Sequence, residues 1–307
     1  RVARLRGADV LEQLGDEADV VIEAALESLP LKQTIFRALD SVADPAVILA
    51  TNTSALSVAE IAAATARRER VVGLHFFNPA PIMPLVEVVA APETSERVVE
   101  GATQLVSSWG RTAVRAADAP GFIVNRVNRP FTIEALRILE EGSATVEAVD
   151  DAMRGVGFPL GPFELMDLTG LDVTTATATG IWNGLGQPDR LRPSPIQAEL
   201  VEAGRLGRKT GEGFYRYVKG RRDEVAARFG EGGVAARSDA SHRADRSRTL
   251  DPGAIRRRIL DAIDAEARRA ADEGVATPDD IDLALRLGAS HPEGPFERMA
   301  AAGRDRR

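Results

Sequence analysis

The first third of the chain alternates short β-branched runs with helical spacing, and no other feature restricts the fold as much. Ala18–Glu23 (ADVVIE) and Ala46–Thr51 (AVILAT) read as buried strands on either side of a helix over Leu31–Val42. A helix over Ser57–Ala64 follows the Thr53-Ser54 turn. Strands at Arg70–Leu74 and Leu85–Val89, a helix over Ser95–Trp109 and a short strand at Thr112–Arg115 complete the series. Such alternation over residues 1–117 predicts an α/β domain with a partly parallel sheet. The chain enters a helical pattern at Arg1, as if part-way through a domain.

Ala117-Asp118-Ala119-Pro120-Gly121 marks a change of character. From Phe122 to about Ala203 the apolar spacing is helical, interrupted at Gly142, Gly155–Pro162 and Gly184–Pro195, which predicts an all-helical domain over 118–217. Residues 218–250, rich in Arg, Gly, Ser and Asp, read as a flexible linker. A repeat follows. Glu134-Ala135, Glu141-Gly142, Asp150 and Gly161-Pro162-Phe163-Glu164 recur as Glu266-Ala267, Glu273-Gly274, Asp282 and Gly294-Pro295-Phe296-Glu297. The offset is 132 residues, then 133 after one insertion near Pro292, so 251–307 reads as a partial second copy made by duplication.

Composition excludes several classes. A net charge of -7 opposes wholesale attraction to nucleic acid or an acidic membrane surface. With no cysteine there are no disulfides, thiolate metal sites or cysteine nucleophile, and no metal site is expected. The same absence fits a reducing, cytoplasmic setting. No apolar run approaches the roughly 20 residues that span a bilayer, and nothing at the N-terminus reads as a signal peptide.

Candidate chemistry centres on Gly73–Pro81. His75 ends an apolar run before a proline-rich turn, and Glu87 follows twelve residues later inside a second apolar run. On neighbouring strands the two side chains can meet, and such a pair moves protons. The plainer alternative is a core histidine satisfied by a backbone carbonyl. Ser54 sits at the turn after the second strand, where side chains face the cleft of an α/β sheet. It or Thr53 could instead cap the following helix. Asn125 could likewise be a helix cap, and Glu27 with Lys32 a solvated pair at a helix start.

Taken together, Val20–Ser28, Ala50–Ser54, Gly73–Pro79, Pro120–Arg126, Gly161–Glu164 and Arg208–Tyr215 resemble the L-3-hydroxyacyl-CoA dehydrogenases in order and spacing over residues 15–217. The resemblance implies a partial Rossmann-like NAD-binding domain over 1–117, then the family's helical C-terminal domain and a partial second copy of it. It implies that His75 takes the proton of a 3-hydroxyl, with Glu87 as its partner and Ser54 bonded to the 3-oxygen. Asn78 and Asn125 match residues near the reacting centre and the substrate carbonyl, where amides donate without changing charge. Ala24, Glu27, Lys32 and Asn52 match residues around the nicotinamide and its ribose. The substrate implied is an acyl-CoA, hydroxybutyryl- or hydroxyadipyl-CoA for the longer members, and the acyl chain length is unreadable. Assembly is expected as a homodimer, or as a pseudo-dimer in which the tandem copy replaces the partner. Arg257 stands where the second copy would need Asn125, so that copy reads as non-catalytic.

The family's opening strand and Gly-x-Gly-x-x-Gly turn are not found in these 307 residues. About 80 residues of the pattern would precede Arg1, and the chain is expected to be N-terminally truncated, poorly soluble or inactive in isolation. The acidic residue that separates NAD from NADP falls in the same stretch. Two rivals therefore stand beside the dehydrogenase: a non-catalytic acyl-CoA-binding or scaffolding remnant, and a related dehydrogenase acting on a free hydroxy acid or sugar acid.

Overall fold

Five strands, ordered along the sheet as in the sequence, organise the first part of the chain: β1 (Val20–Glu23), β2 (Ile48–Thr51), β3 (Val71–Phe76), β4 (Leu85–Ala90) and β5 (Thr112–Ala117). The structure is a computed structural model and describes residues 7, 9–11, 18–226 and 249–303. The expected helical entry at Arg1 lies outside the described residues. β1, β2 and β3 are parallel, β4 runs antiparallel to β3, and β5 is parallel to β4. The α/β expectation holds, with the partly parallel sheet it called for.

Helices α1 (Leu29–Val42), α2 (Val58–Ala62) and α3 (Glu96–Ser108) connect the strands. Lys32, Phe36 and Leu39 are the buried residues of α1, spaced so that one stripe faces the sheet. Val98, Val99, Ala102 and Val106 of α3 close over Val72, Leu74, Val86 and Val88. Each such aliphatic side chain contributes about 1.5–3 kcal/mol on burial, which makes β3 and β4 a firm base for what they carry. Gly73 is required where these strands pass, because a Cβ there would lie 2.8 Å from the Cβ of Val89.

The chain divides into two units: Arg1–Ile123 with Glu273–Gly288, and Val124–Asp272 with Ala289–Arg307. The second repeat, read as a segment of its own, is thus shared between them. Its helix α11 (Pro278–Gly288) packs on β4 and β5 of the first unit, and Ala117 N–H donates to the Val275 carbonyl.

The second unit holds α4 (Val124–Val127), α5 (Arg129–Glu140), α6 (Val146–Arg154), α7 (Pro162–Thr169), α8 (Leu171–Gly184), α9 (Pro195–Glu202), α10 (Pro252–Asp272) and α12 (Pro295–Ala301). It is not wholly helical. β6 (Tyr215–Val218) and β7 (Arg221–Val225) form a hairpin, so Val218–Val225 is not linker; residues 227–248 of the expected linker lie outside the described residues. Lys219 and Gly220 both take positive φ, 50° and 74°. A two-residue turn of that kind matches strand twist and holds a hairpin without an apolar pattern. Two buried aspartates anchor it. Asp150 accepts from Phe163 N, Glu164 N and the Tyr215 hydroxyl; Asp167 accepts from Phe214 N, Tyr215 N and the Tyr217 hydroxyl. Burial pushes Asp150 up to about 7 and Asp167 up to about 6, although these hydrogen bonds pull the other way.

The duplication has a geometric counterpart. α5 and α10 carry corresponding residues of the two copies and pack against each other. Arg126 Nε lies 2.9 Å from Glu266, and Arg258 Nε lies 2.9 Å from Glu134. Each pair is the other displaced by the repeat offset, the reciprocity of a two-fold interface. The Gly-Pro-Phe-Glu segments also behave alike: Glu164 accepts from Gly161 N–H and Glu297 from Gly294 N–H, at the starts of α7 and α12. That motif is architectural in both copies.

Candidate active site

β3 and β4 bring His75 and Glu87 together. The two residues are directly opposite in the ladder, and His75 Nδ1 lies 2.6 Å from Glu87 Oε2. Strand β3 runs two residues beyond Leu74, the expected end, because pairing with β4 continues through His75 and Phe76. Both side chains are buried, Glu87 fully and His75 to 3% exposure. The second oxygen of Glu87 accepts from Ile123 N–H at 3.1 Å, so the carboxylate cannot swing away. A carboxylate only accepts, so the Nδ1 proton points at Glu87 and the lone pair is on Nε2. Nδ1 is therefore satisfied by a carboxylate and not by a backbone carbonyl.

Phe77 and Phe122 flank the imidazole, with ring centroids 4.6 and 5.7 Å away. Phe122 takes φ 47°, directly after Gly121 at φ 79°. A left-handed phenylalanine is costly, of the order of 1–3 kcal/mol. Here the turn lays Phe122 beside His75 and delivers Ile123 N–H to Glu87. Phe122 and Ile123 therefore border the His75–Glu87 pair.

The ends of β1 and β2 form the other side of the arrangement. Glu27 Oε1 accepts from the Thr53 hydroxyl, Ser54 N and Ala55 N, at 2.7, 2.9 and 3.0 Å. Partial burial pushes Glu27 up, but those three donors and the Lys32 charge outweigh it and leave it below the ordinary carboxylate range. Thr53 Oγ1 accepts from Leu56 N, and Ser57 is the N-cap of α2. Ser54, exposed at the turn, is thus not the cap. Asn52 Oδ1 accepts from Phe76 N–H at 2.9 Å, tying the end of β2 to the strand that holds His75.

Lys32 differs from the solvated pair expected with Glu27. It is 1% exposed, and its Nζ donates to both oxygens of Glu23 and to the Ala25 carbonyl, 3.5 Å from Glu27. Glu23 also accepts from the Thr51 hydroxyl. The sequence conceals this because a lysine at a helix start reads as surface. Asp118, also missed, accepts from Ser57 Oγ, Val58 N and Ala59 N and fixes the start of α2. Ala24 and Asn78 are exposed, Asn78 ahead of a cis peptide bond to Pro79, and Asn125 is half-buried on α4 in the second unit.

The family model described as "3-hydroxyacyl-CoA dehydrogenase, NAD binding domain" matches residues 1–119. The one described as "3-hydroxyacyl-CoA dehydrogenase, C-terminal domain" matches 121–217 and again 253–307. The chain belongs to the 3-hydroxyacyl-CoA dehydrogenase family. It is 37% identical to the 3-hydroxyadipyl-CoA dehydrogenase of Escherichia coli, covering 93% of this chain and 74% of that one. The mitochondrial hydroxyacyl-coenzyme A dehydrogenase of Sus scrofa is 46% identical over 65% of this chain, which spans 64% of that relative's length. Among solved structures, 3-hydroxybutyryl-CoA dehydrogenase from Escherichia coli K12 superposes with a TM-score of 0.84 at 36% identity, over 96% of this chain and 76% of that one. The (S)-3-hydroxybutyryl-CoA dehydrogenase of Ralstonia eutropha gives 0.69 at 39% identity, over 71% and 77%. The members are oxidoreductases, and the NAD-binding and helical domains of the family both have their counterpart here. No helix among the described residues is long and apolar enough to cross a membrane.

Proposed function

We propose that this protein oxidises the 3-hydroxyl of an (S)-3-hydroxyacyl-CoA to a 3-ketone with NAD. The observation that carries the proposal is the buried His75–Glu87 pair, in register on adjacent strands and held by Ile123. Nε2 of His75 takes the hydroxyl proton. Glu87 stabilises the imidazolium that results and keeps the ring from turning, and a base positioned in this way is worth about 10²–10⁴ in rate. Ser54 donates to the 3-oxygen, on a turn that Glu27 holds by three hydrogen bonds. Asn78 and Asn125 are assigned to the reacting centre and the thioester carbonyl.

The residues present fit the nicotinamide end of NAD. The loops after β1 and β2 lie at the carboxyl ends of adjacent parallel strands, where ligands of open α/β sheets bind. Ala24 and Leu26 offer exposed apolar surface there. Glu27, Lys32 and Asn52 brace the backbone on either side rather than standing free. NAD, when bound, supplies the hydride acceptor.

The acyl-CoA substrate rests on the family and the relatives' names, which include both hydroxybutyryl and hydroxyadipyl thioesters. Turnover followed by NADH absorbance should appear with an (S)-3-hydroxyacyl-CoA and not with the free hydroxy acid. H75Q should lose it by a hundredfold or more. Thioester binding without turnover would favour the non-catalytic remnant, and equal turnover of the free acid the hydroxy-acid rival. We also infer that the tandem copy stands in for a dimer partner, supported by the reciprocal Arg126–Glu266 and Arg258–Glu134 pairs. Light scattering should then report a monomer; a dimer through α5 and α10 would refute it.

A further inference from the structure

The two copies of the repeat are not equivalent at the axis that relates them. Phe158-Pro159 and His291-Pro292 are counterparts, their shared proline fixing the offset at 133 residues. The Phe158 and His291 rings meet edge to face, with centroids 4.8 Å apart. Both are buried, at 5% and 4% exposure. A residue touches its own counterpart only beside a two-fold axis. This contact therefore lies at the centre of the arrangement that the reciprocal Arg126–Glu266 and Arg258–Glu134 pairs describe.

His291 directs its one N–H at the other copy. Burial, and after it the Arg298 charge, push the imidazole down to about 3, so the ring is neutral at pH 7. Its Nε2 lies 2.8 Å from Asn128 Oδ1, and an amide oxygen only accepts, so the proton is on Nε2. Nδ1 has no hydrogen-bond partner among the described residues. Asn128 stands at the N-cap of α5, where an asparagine ordinarily bonds the first turn of its own helix, yet its side chain makes no such bond. Its oxygen is given to His291 instead.

Across the axis the same two positions are apolar. Leu260, half-buried on α10, is the counterpart of Asn128 at the 132-residue offset, and Phe158 is the counterpart of His291. The ion pairs cannot tell the copies apart, because Arg126 matches Arg258 and Glu134 matches Glu266. The Asn128–His291 side can. Two first copies set together in this way would put Asn128 against Phe158 twice, and two second copies His291 against Leu260 twice. Each mismatch leaves a covered polar group without a partner, which costs about tenfold or more in pairing. A like pair has two, so its penalty is about a hundredfold or more.

We propose that the Asn128–His291 hydrogen bond is the pairing code of the duplicated helical domain: it fits the first copy to the second copy of its own chain and turns away a like copy from another molecule. This rests on the reading above in which the tandem copy stands in for a dimer partner.

The test moves the code across the axis in the full chain. L260N/H291F gives the second copy the first copy's residues and N128L/F158H does the reverse, so each variant chain holds a like pair. Both should melt about 5–15 °C below the wild type. N128L/F158H/L260N/H291F again has one amide–imidazole side and one apolar side, exchanged between the copies, and should melt within about 4 °C of the wild type. If either residue served only its own surroundings, the quadruple variant would be at least as unstable as the worse half exchange. That result would overturn the proposal, as would half exchanges as stable as the wild type. Should the half exchanges not fold, the quadruple variant still decides, since it folds only if the code works from either side. Light scattering on the wild type checks the reading beneath: a dimer through α5 and α10 would refute the cis arrangement and the code with it, whereas a monomer whose quadruple variant is not rescued removes the code alone.

Discussion

The reciprocal ion pairs of the two repeats should respond very unequally to the same perturbation. Glu266 is 1% exposed and accepts from Arg126 Nε at 2.9 Å and Arg190 Nε at 2.7 Å, while the Arg126 side chain is fully buried. Truncation in E266A takes this carboxylate from a guanidinium that water cannot reach, a change that costs about 3–5 kcal/mol. Its repeat counterpart Glu134 is 10% exposed and bonds Arg137 and Arg258. Arg258 is 31% exposed and also holds both oxygens of Glu141, at 2.6 and 2.8 Å. In E134A it keeps that partner and its access to water, so the expected cost is about 1 kcal/mol. Urea unfolding should separate the two by about 2 kcal/mol or more, with similar slopes. In heat, E266A should melt roughly 6–20 °C below the wild type. R126M/E266L, which replaces both charges with apolar groups of similar size, should recover most of the loss. Equal costs for E266A and E134A would refute the argument, as would a double variant no better than E266A alone.

Other outcomes follow from the site. E87Q should lower kcat by about 10²–10⁴ with little change in substrate Kd, because the amide no longer stabilises the imidazolium; a loss under threefold would remove Glu87 from the mechanism. E27A should free the Thr53–Ala55 turn and lower kcat by about 10- to 100-fold, with KM much less affected, checked by steady-state kinetics on an otherwise folded variant. Asp150 has a folded pKa of about 7, above its ordinary 3.8. Its protonated form is therefore favoured by folding, and the stability it contributes is full below about pH 4 and lost as pH rises through about 7. Unfolding free energies of D150N should be lower than wild type and depend less on pH across that window. A slope equal to that of the wild type would count against the assignment.

The sheet was legible from β-branched runs, and the His75–Glu87 pair from its two apolar flanks, because strand pairing makes a local pattern. What stayed hidden depends on contacts far apart in the sequence. The charge of Lys32 reads as surface until Glu23 and Thr51 are seen to close over it. β7 has no buried face to announce it, as four of its five residues are exposed, and it is set by the Lys219-Gly220 turn and the aspartates that hold β6. α11 looks like the twin of α6, and nothing in its own residues says that it packs on β4 and β5.

That α11 belongs to the first unit has a consequence for how the protein is made. β5 leaves the ribosome roughly 160 residues before α11 does, and β4, which carries Glu87, earlier still, a delay on the order of 10 s at ordinary elongation rates. During that interval the part of β4 and β5 that α11 packs on stays uncovered. The His75–Glu87 pair is thus encoded early but housed late. Nonsense or frameshift lesions that spare every residue of the candidate site can still deprive the first unit of this helix.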